Sequence, residues 1–362
     1  MLKITPNPNI VKHVPAAHGG IFSIKNPDEK IVDFSSNVNP LGCHPNVKKY
    51  LKNHLNQIHV YPDSESTRLR SNLKWFTGIN TSQILIGNGA TEIIYNFCST
   101  FVNKKSKVLI PCPTFSEYEK AVNFFGGKTI PFRTLNLKID FQKFLKKIPT
   151  KGIVFICNPN NPTGEILSKK EMEEIVKIAE KKSTLVFVDE TFIELVPDSN
   201  PSIVKSLKSY QNLFILRSFT KSFGLAGLRI GYGLGSKKII EILQRVKIPW
   251  NVNYIAQTAA SAALCYSDFL EKSRKNIKKE NLFLMNSLSK IEWLSCFSSS
   301  TNFILIKTKI NSKLLQKKLL KKNILVRDCS TFCGLDENYI RIAVKNRIQN
   351  KLLIKELGEI KW

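Results

Sequence analysis

The sequence predicts an α/β fold, with a large domain on a mostly parallel sheet and a smaller α+β domain after it. Three observations carry this. Short apolar runs such as Gly152 to Cys157 and Thr184 to Val188 lack polar alternation, the mark of strands buried on both faces. Helical stretches separate these runs, as crossovers between parallel strands require. Polar and glycine residues gather just beyond the runs, where open parallel sheets bind ligands.

Composition narrows the function classes. At 362 residues and 43% hydrophobic content, the chain can bury a large core. No apolar run reaches spanning length, and residues 1–20 hold no signal-peptide core, so no membrane association and a cytoplasmic location are expected. The eight cysteines are scattered and are read as reduced thiols; Cys329 and Cys333 lack the histidines of a zinc site, and no metal is expected. The net charge of +27 raises nucleic acid as a partner, but only 10 of the 55 basic residues are arginine. The lysines form short pairs along the whole chain, such as Lys181-Lys182, with no nucleic-acid motif beside them. A solvated lysine surface is expected, with no specific nucleic-acid partner.

Taken in order, the chain opens with Ala17-His18-Gly19-Gly20, where glycines allow close backbone approach, to a ligand or simply in a turn. Ile31 to Phe34 reads as a strand that ends in Ser35-Ser36-Asn37-Val38-Asn39-Pro40. Tyr61-Pro62-Asp63 is a turn whose tyrosine suits a site or an ordinary surface. Ser82 to Ile86 is an apolar strand, and Gly87-Asn88-Gly89-Ala90-Thr91-Glu92 then opens a helix to Val102. Free N–H groups at such a start suit a phosphate. The third glycine of a dinucleotide fingerprint is missing. After the strand Lys107 to Ile110, a helix begins near Pro113-Thr114-Phe115-Ser116, with Thr114 or Ser116 as cap and Phe115 either in the core or on the face of a planar ring. Gly152 to Cys157 ends in Asn158-Pro159-Asn160-Asn161-Pro162-Thr163-Gly164, followed by a helix from Ser168 to Lys181. Thr184 to Val188 ends in Asp189-Glu190-Thr191-Phe192.

The stretch on which the rest converges is the strand Asn212 to Leu216 with its continuation, Arg217-Ser218-Phe219-Thr220-Lys221. A glycine-rich turn then leads to Arg229. A lysine among hydroxyls at a strand end is what an aldehyde cofactor with a phosphate tail requires. The amine can form a Schiff base, and Ser218, Thr220 and Arg229 can hold the phosphate. Beyond Pro249-Trp250-Asn251, helical segments from Ala256 to Leu288 lead to strands at 303–306, 324–326 and 339–344. The expected division is residues 1–45 as an arm and part of the smaller domain, 46–255 as the large domain and 256–362 as the small one. Residues 1–30 are expected to pack against the small domain.

The run Gly89, Phe115, Asn161-Pro162-Thr163-Gly164, Asp189, Lys221 and Arg229 resembles the class I/II aminotransferases, pyridoxal-phosphate enzymes of the aspartate-aminotransferase-like fold. The resemblance covers essentially the whole chain. It implies Lys221 on the aldehyde of pyridoxal 5'-phosphate, Asp189 at the ring nitrogen, Asn161 at the ring hydroxyl and Phe115 on the ring. The phosphate would meet Gly89, Ala90, Thr91, Ser218, Thr220 and Arg229. A homodimer with shared active sites is implied too, Tyr61 reaching the neighbour's phosphate. Within the family, His18-Gly19-Gly20, Asn37 to Gly42, Pro249 to Asn253, Arg327-Asp328-Cys329 and Tyr339-Ile340-Arg341 resemble the branch that decarboxylates L-threonine O-3-phosphate in cobalamin synthesis. Substrate binding would then fall to His18, Gly19, Asn37, Asn161, Arg327 and Arg341, with a small phosphorylated amino acid as partner. Phe192, where many of the transaminases have a tyrosine, agrees with that branch or is a neutral replacement in an aminotransferase. Transamination of histidinol phosphate with 2-oxoglutarate is the alternative.

Overall fold

The computed structural model describes residues 8–197 and 201–360. The large sheet has seven strands: β1 (Ile84–Gly87), β2 (Lys107–Cys112), β3 (Lys128–Arg133), β4 (Ile153–Cys157), β5 (Leu185–Asp189), β6 (Leu213–Ser218) and β7 (Gly231–Gly235). Their order is β1-β7-β6-β5-β4-β2-β3. β7 is antiparallel to both neighbours, and every other pair is parallel.

Period-two alternation explains why these runs are apolar throughout. Val154, Ile156, Val186, Val188, Leu213 and Ile215 point into one core, while Phe155, Phe187, Phe214 and Leu216 point into the other. In the second core the rings of Phe155 and Phe187 stack 4.6 Å apart. Truncating either to alanine would cost about 3–5 kcal/mol. The register places Cys157 beside Asp189 and Asp189 beside Leu216, so β4 and β5 end level and β6 runs two residues further, to Ser218. β3 escapes a reading by pattern because it is an edge strand: half its residues are exposed, and Pro131 interrupts its run. The helix Lys169–Lys181 starts where Ser168 signals it, and Ser168 with Glu171 forms a capping box. Neither expected cap acts on the helix Glu117–Phe124: Ser116 makes no side-chain cap, and Thr114 Oγ1 donates to Asn160 Oδ1 at 2.7 Å.

The smaller sheet is antiparallel, β8 (Leu294–Cys296), β9 (Phe303–Thr308), β10 (Arg327–Asp328) and β11 (Tyr339–Ala343) in the order β10-β11-β9-β8. Val32–Asp33 pairs in parallel with Ile324–Leu325, which joins the end of the arm to this unit. The boundary expected at 255/256 lies elsewhere. Ala256, Ala259, Ala260 and Ala263 of the helix Tyr254–Leu264 are buried in the larger core, because small side chains let it pack closely on the helices Pro45–Lys52 and Thr67–Thr77. The long helix Asp268–Leu288 then runs from Leu270 in the larger core to Leu284 and Leu288 in the smaller one. The arm also departs from expectation. His13 stands edge-on to Phe124 at 5.0 Å, so the described start of the arm lies on the larger unit; residues 1–7 fall outside the described residues. Among the described residues no helix is long and apolar enough to cross a membrane.

Candidate active site

A cavity of about 440 Å³ opens at the carboxyl ends of β4, β5 and β6, between the two units. His18, Gly19, Asn37, Ala90, Thr91, Phe115, Asn161, Asp189, Ser218, Thr220, Lys221, Arg229, Arg327 and Arg341 all line it. Residues spread over most of the sequence thus meet in one place. Gly89 sits just behind the wall with φ +81°, and a Cβ there would lie 2.7 Å from Arg229 Nη2. Only glycine allows that approach. Tyr61 is the exception: it is 78% exposed, rests against Trp250 at 4.9 Å and lies outside the cavity of its own chain.

One end of the cavity is shaped for an anion. The helix Gly89–Phe101 begins there without a side-chain cap, so Ala90 and Thr91 present N–H groups at the positive end of the helix. Ser218, Thr220 and Arg229 face the same space. Ser218 Oγ caps its own turn by accepting from Thr220 N at 3.2 Å, which fixes the two hydroxyl residues relative to Lys221.

Asp189 forms the floor at 4% exposure. Its carboxylate accepts from Tyr118 Oη at 2.7 Å and from Thr191 N at 2.8 Å. Burial still pushes its pKa above the ordinary carboxylate value, against those two hydrogen bonds. A protonated ring nitrogen would supply the counter-charge that this carboxylate lacks.

Lys221 is shifted the other way. Burial, then the positive charges of Arg341 and Arg229, lower its pKa to about 8. A sizeable fraction of the amine is therefore neutral near pH 7.5, the form that attacks an aldehyde. This has a stability consequence. Between the folded value of about 8 and the ordinary lysine value of 10.5 the unfolded chain binds more protons, so stability of the cofactor-free protein should rise with pH across that window. The gain is on the order of 3 kcal/mol. Lys221→Met should remove that slope; equal slopes in denaturant titrations of both proteins would contradict the shift.

The other end of the cavity is basic. Arg327 and Arg341 are direct cross-strand partners on β10 and β11. Like charges in that relation repel. Among the described residues neither forms an ion pair with an acid, and burial holds both below the usual guanidinium range, Arg341 at about 10. Arg341 Nη2 donates to the Ser35 carbonyl at 2.8 Å, and Nη1 donates to Asn161 Oδ1. The latter bond leaves Nδ2 as the donor Asn161 can offer to a ring hydroxyl. Phe192 lines the same wall and packs edge-on against Phe303 at 5.0 Å. Phe115 lines the cavity and stands edge-on to Tyr118 at 5.6 Å. Gly19 is pressed on Ser35, where a Cβ would meet the carbonyl at 2.8 Å.

Sequence reasoning assigned no role to Glu117, Tyr118, Thr191 or Ser35. Glu117 Oε1 lies 2.6 Å from His18 Nε2, and Tyr118 supports Asp189. Nothing in the local pattern marks a tyrosine on a helix as the partner of an aspartate seventy-one positions away. Thr191 Oγ1, Asn37 Oδ1 and Arg341 Nε are buried without partners. Orphaned polar atoms of that kind on a cavity wall call for a polar ligand. Together with the anion cradle, the floor carboxylate and the low-pKa lysine, they fit pyridoxal 5'-phosphate.

The comparisons with known proteins agree. The aminotransferase class I and II family matches residues 29–357. A histidinol-phosphate aminotransferase of Methanococcus aeolicus is 36% identical over 92% of this chain and 91% of its own. A protein of Caldanaerobacter subterraneus, provisionally named a threonine-phosphate decarboxylase, is 36% identical over 96% of this chain and 94% of its own. The crystal structure of L-threonine-O-3-phosphate decarboxylase from Porphyromonas gingivalis superimposes with a TM-score of 0.83 at 28% identity, covering 90% of this chain and 98% of that one. With the family matched over nearly its whole length and the lysine, aspartate and phosphate cradle in place, the chain belongs to the class I and II aminotransferases, enzymes whose cofactor is pyridoxal 5'-phosphate.

Proposed function

We propose that the chain decarboxylates L-threonine O-3-phosphate, giving (R)-1-aminopropan-2-yl phosphate and carbon dioxide. The observation that carries this reading is the Arg327–Arg341 pair, two neighbouring guanidinium groups in one small cavity that form no ion pair among the described residues. Such a pair suits a compact ligand with two anionic groups, a carboxylate and a phosphate, each matched by a planar fork of donors.

Lys221 would hold the cofactor aldehyde, Asp189 its ring nitrogen, and Ala90, Thr91, Ser218, Thr220 and Arg229 its phosphate. When bound, the cofactor accepts the electron pair left as a bond to the substrate Cα breaks. Phe115 would cover the ring face. Asn161, kept in one orientation by Arg341, would donate from Nδ2 to the ring hydroxyl. In our reading Arg341 steers the substrate carboxylate, while Arg327, His18 and Asn37 grip the substrate phosphate. Once carbon dioxide has left, Lys221 Nζ is the acid that returns a proton to Cα. The arm residues Ala17 to Gly19 form part of the wall around the bound substrate.

A second reading, transamination of histidinol phosphate, is favoured by the name of the M. aeolicus relative. There the arginine pair would receive the carboxylates of 2-oxoglutarate. In either case we propose a dimer, in which the exposed Tyr61 reaches the partner's cofactor phosphate. Sedimentation as a species of two chains supports this, and a single chain of 41.2 kDa contradicts it.

The phosphate grip has its own test. Unphosphorylated L-threonine should be used with kcat/KM at least about 100-fold lower than its phosphate ester. Arg327→Lys should raise KM for the ester about tenfold, since a point charge replaces a two-pronged donor. Equal use of the two amino acids, or an unchanged KM in Arg327→Lys, would contradict the grip.

A further inference from the structure

Ala17 to Gly20 crosses the mouth of the cavity and is tied on both sides. The Ala17 carbonyl accepts from Arg327 Nη2 at 2.6 Å, and Gly20 N–H donates to Ser35 Oγ at 2.7 Å. On the larger unit the tie is His18 Nε2 to Glu117 Oε1 at 2.6 Å. The histidine is half-exposed, whereas Glu117 is 5% exposed.

A carboxylate this buried is costly unless its oxygens are satisfied. Among the described residues Glu117 has no lysine or arginine in ion-pair contact, and His18 is its ion-pair partner. Its other oxygen accepts from Tyr95 Oη at 3.2 Å. It opens the helix Glu117–Phe124, where the positive end of the helix favours a negative charge. Burial works to raise its pKa, but the hydrogen bonds from His18 and Tyr95, with the charges of His18 and His13, bring it below the ordinary glutamate value. The carboxylate is thus a fixed ionic post behind the histidine.

The chemistry of imidazole gives that post a consequence. When both ring nitrogens carry a proton, Nε2 donates to Glu117 and Nδ1 is the donor left for a phosphate oxygen. His18 lines the cavity together with Arg327 and Asn37. We propose that Glu117 is a positioning residue for substrate: with Tyr95 it holds the His18 ring so that Nδ1 meets the substrate phosphate beside Arg327, and it thereby favours phosphorylated ligands. This rests on the reading that the substrate carries a phosphate, which both threonine phosphate and histidinol phosphate do.

The test uses holoenzyme and four proteins: wild type, Glu117→Gln, His18→Ala and the double variant. Glu117→Gln should raise KM for L-threonine O-3-phosphate about tenfold while kcat falls by no more than about twofold. Its affinity for inorganic phosphate, measured by calorimetry, should weaken by a similar factor, while inhibition by unphosphorylated L-threonine stays unchanged. Acting through His18, the substitution should add almost nothing in the His18→Ala background. Tyr95→Phe should shift KM in the same direction by a smaller factor, and it serves if Glu117→Gln fails to fold. An unchanged phosphate affinity in Glu117→Gln overturns the proposal, as does an effect that adds in full to that of His18→Ala. Calorimetry with inorganic phosphate needs no turnover, so it tests Glu117 even if wild type leaves threonine phosphate untouched and the functional reading fails.

Discussion

Lys221→Ala is expected to fold normally and to lose turnover by at least about a thousandfold, the effect of removing both the covalent anchor and the proton-transfer group. Folding should survive because the amine forms no ion pair among the described residues and is held in its site at a cost, with a pKa lowered to about 8. The backbone around it is fixed independently: the Lys221 carbonyl accepts from Asn39 N at 3.0 Å, and Ser218 caps the turn. The variant should still take up cofactor through the phosphate cradle, but the cofactor should dissociate on gel filtration and leave no lysine adduct after borohydride. Mass spectrometry of the reduced protein decides the matter. A reduced adduct on another lysine, with turnover retained, would remove Lys221 from its role.

Asp189→Asn is the second large effect. The amide is isosteric: its one oxygen can keep accepting from Thr191 N, and its NH2, standing where Oδ2 was, can donate to a turned Tyr118 hydroxyl, so fold and cofactor binding should persist. What disappears is a negative charge at 4% exposure, where electrostatic effects are strong. A neutral amide cannot keep the ring nitrogen protonated, so kcat should fall by about 10²–10³, the range seen when a single preorganised electrostatic group is removed. Near-normal kcat in Asp189→Asn would contradict the electron-sink role assigned to the bound cofactor.

Several parts of this site that the sequence revealed share one property: they stand where a strand of the large sheet ends. Asp189 and Ser218 end β5 and β6, and Asn161 and Lys221 come just after β4 and β6, so an apolar run gives their positions away. Gly89 was legible because its backbone conformation admits little else. The fold class came from the same strands, apart from the edge strand β3 with its proline. What stayed hidden depends on contacts between distant segments. Glu117 and Tyr118 look like ordinary residues of a first helical turn, and their partners His18 and Asp189 are fixed only by tertiary packing. The domain boundary was hidden for a related reason. Alanines at 256, 259, 260 and 263 mark a tightly packed face, but periodicity alone does not say which core receives it. Arg217 shows the same limit: it comes after the apolar run of β6 as a candidate anion ligand would, yet it is buried against Glu190 at 2.8 Å and Glu194 at 3.4 Å, away from the cavity wall.

The central claim is that the arginine pair serves decarboxylation, and whether the reaction needs an acceptor tests it most directly. Holoenzyme is incubated with L-threonine O-3-phosphate in the absence of any keto acid, and carbon dioxide and amine are measured over many turnovers. The expected result is carbon dioxide and aminopropanol phosphate in equal amounts, with no fall in rate as the reaction proceeds. No carbon dioxide under these conditions, together with glutamate formed from histidinol phosphate and 2-oxoglutarate, would contradict it and establish the transaminase instead.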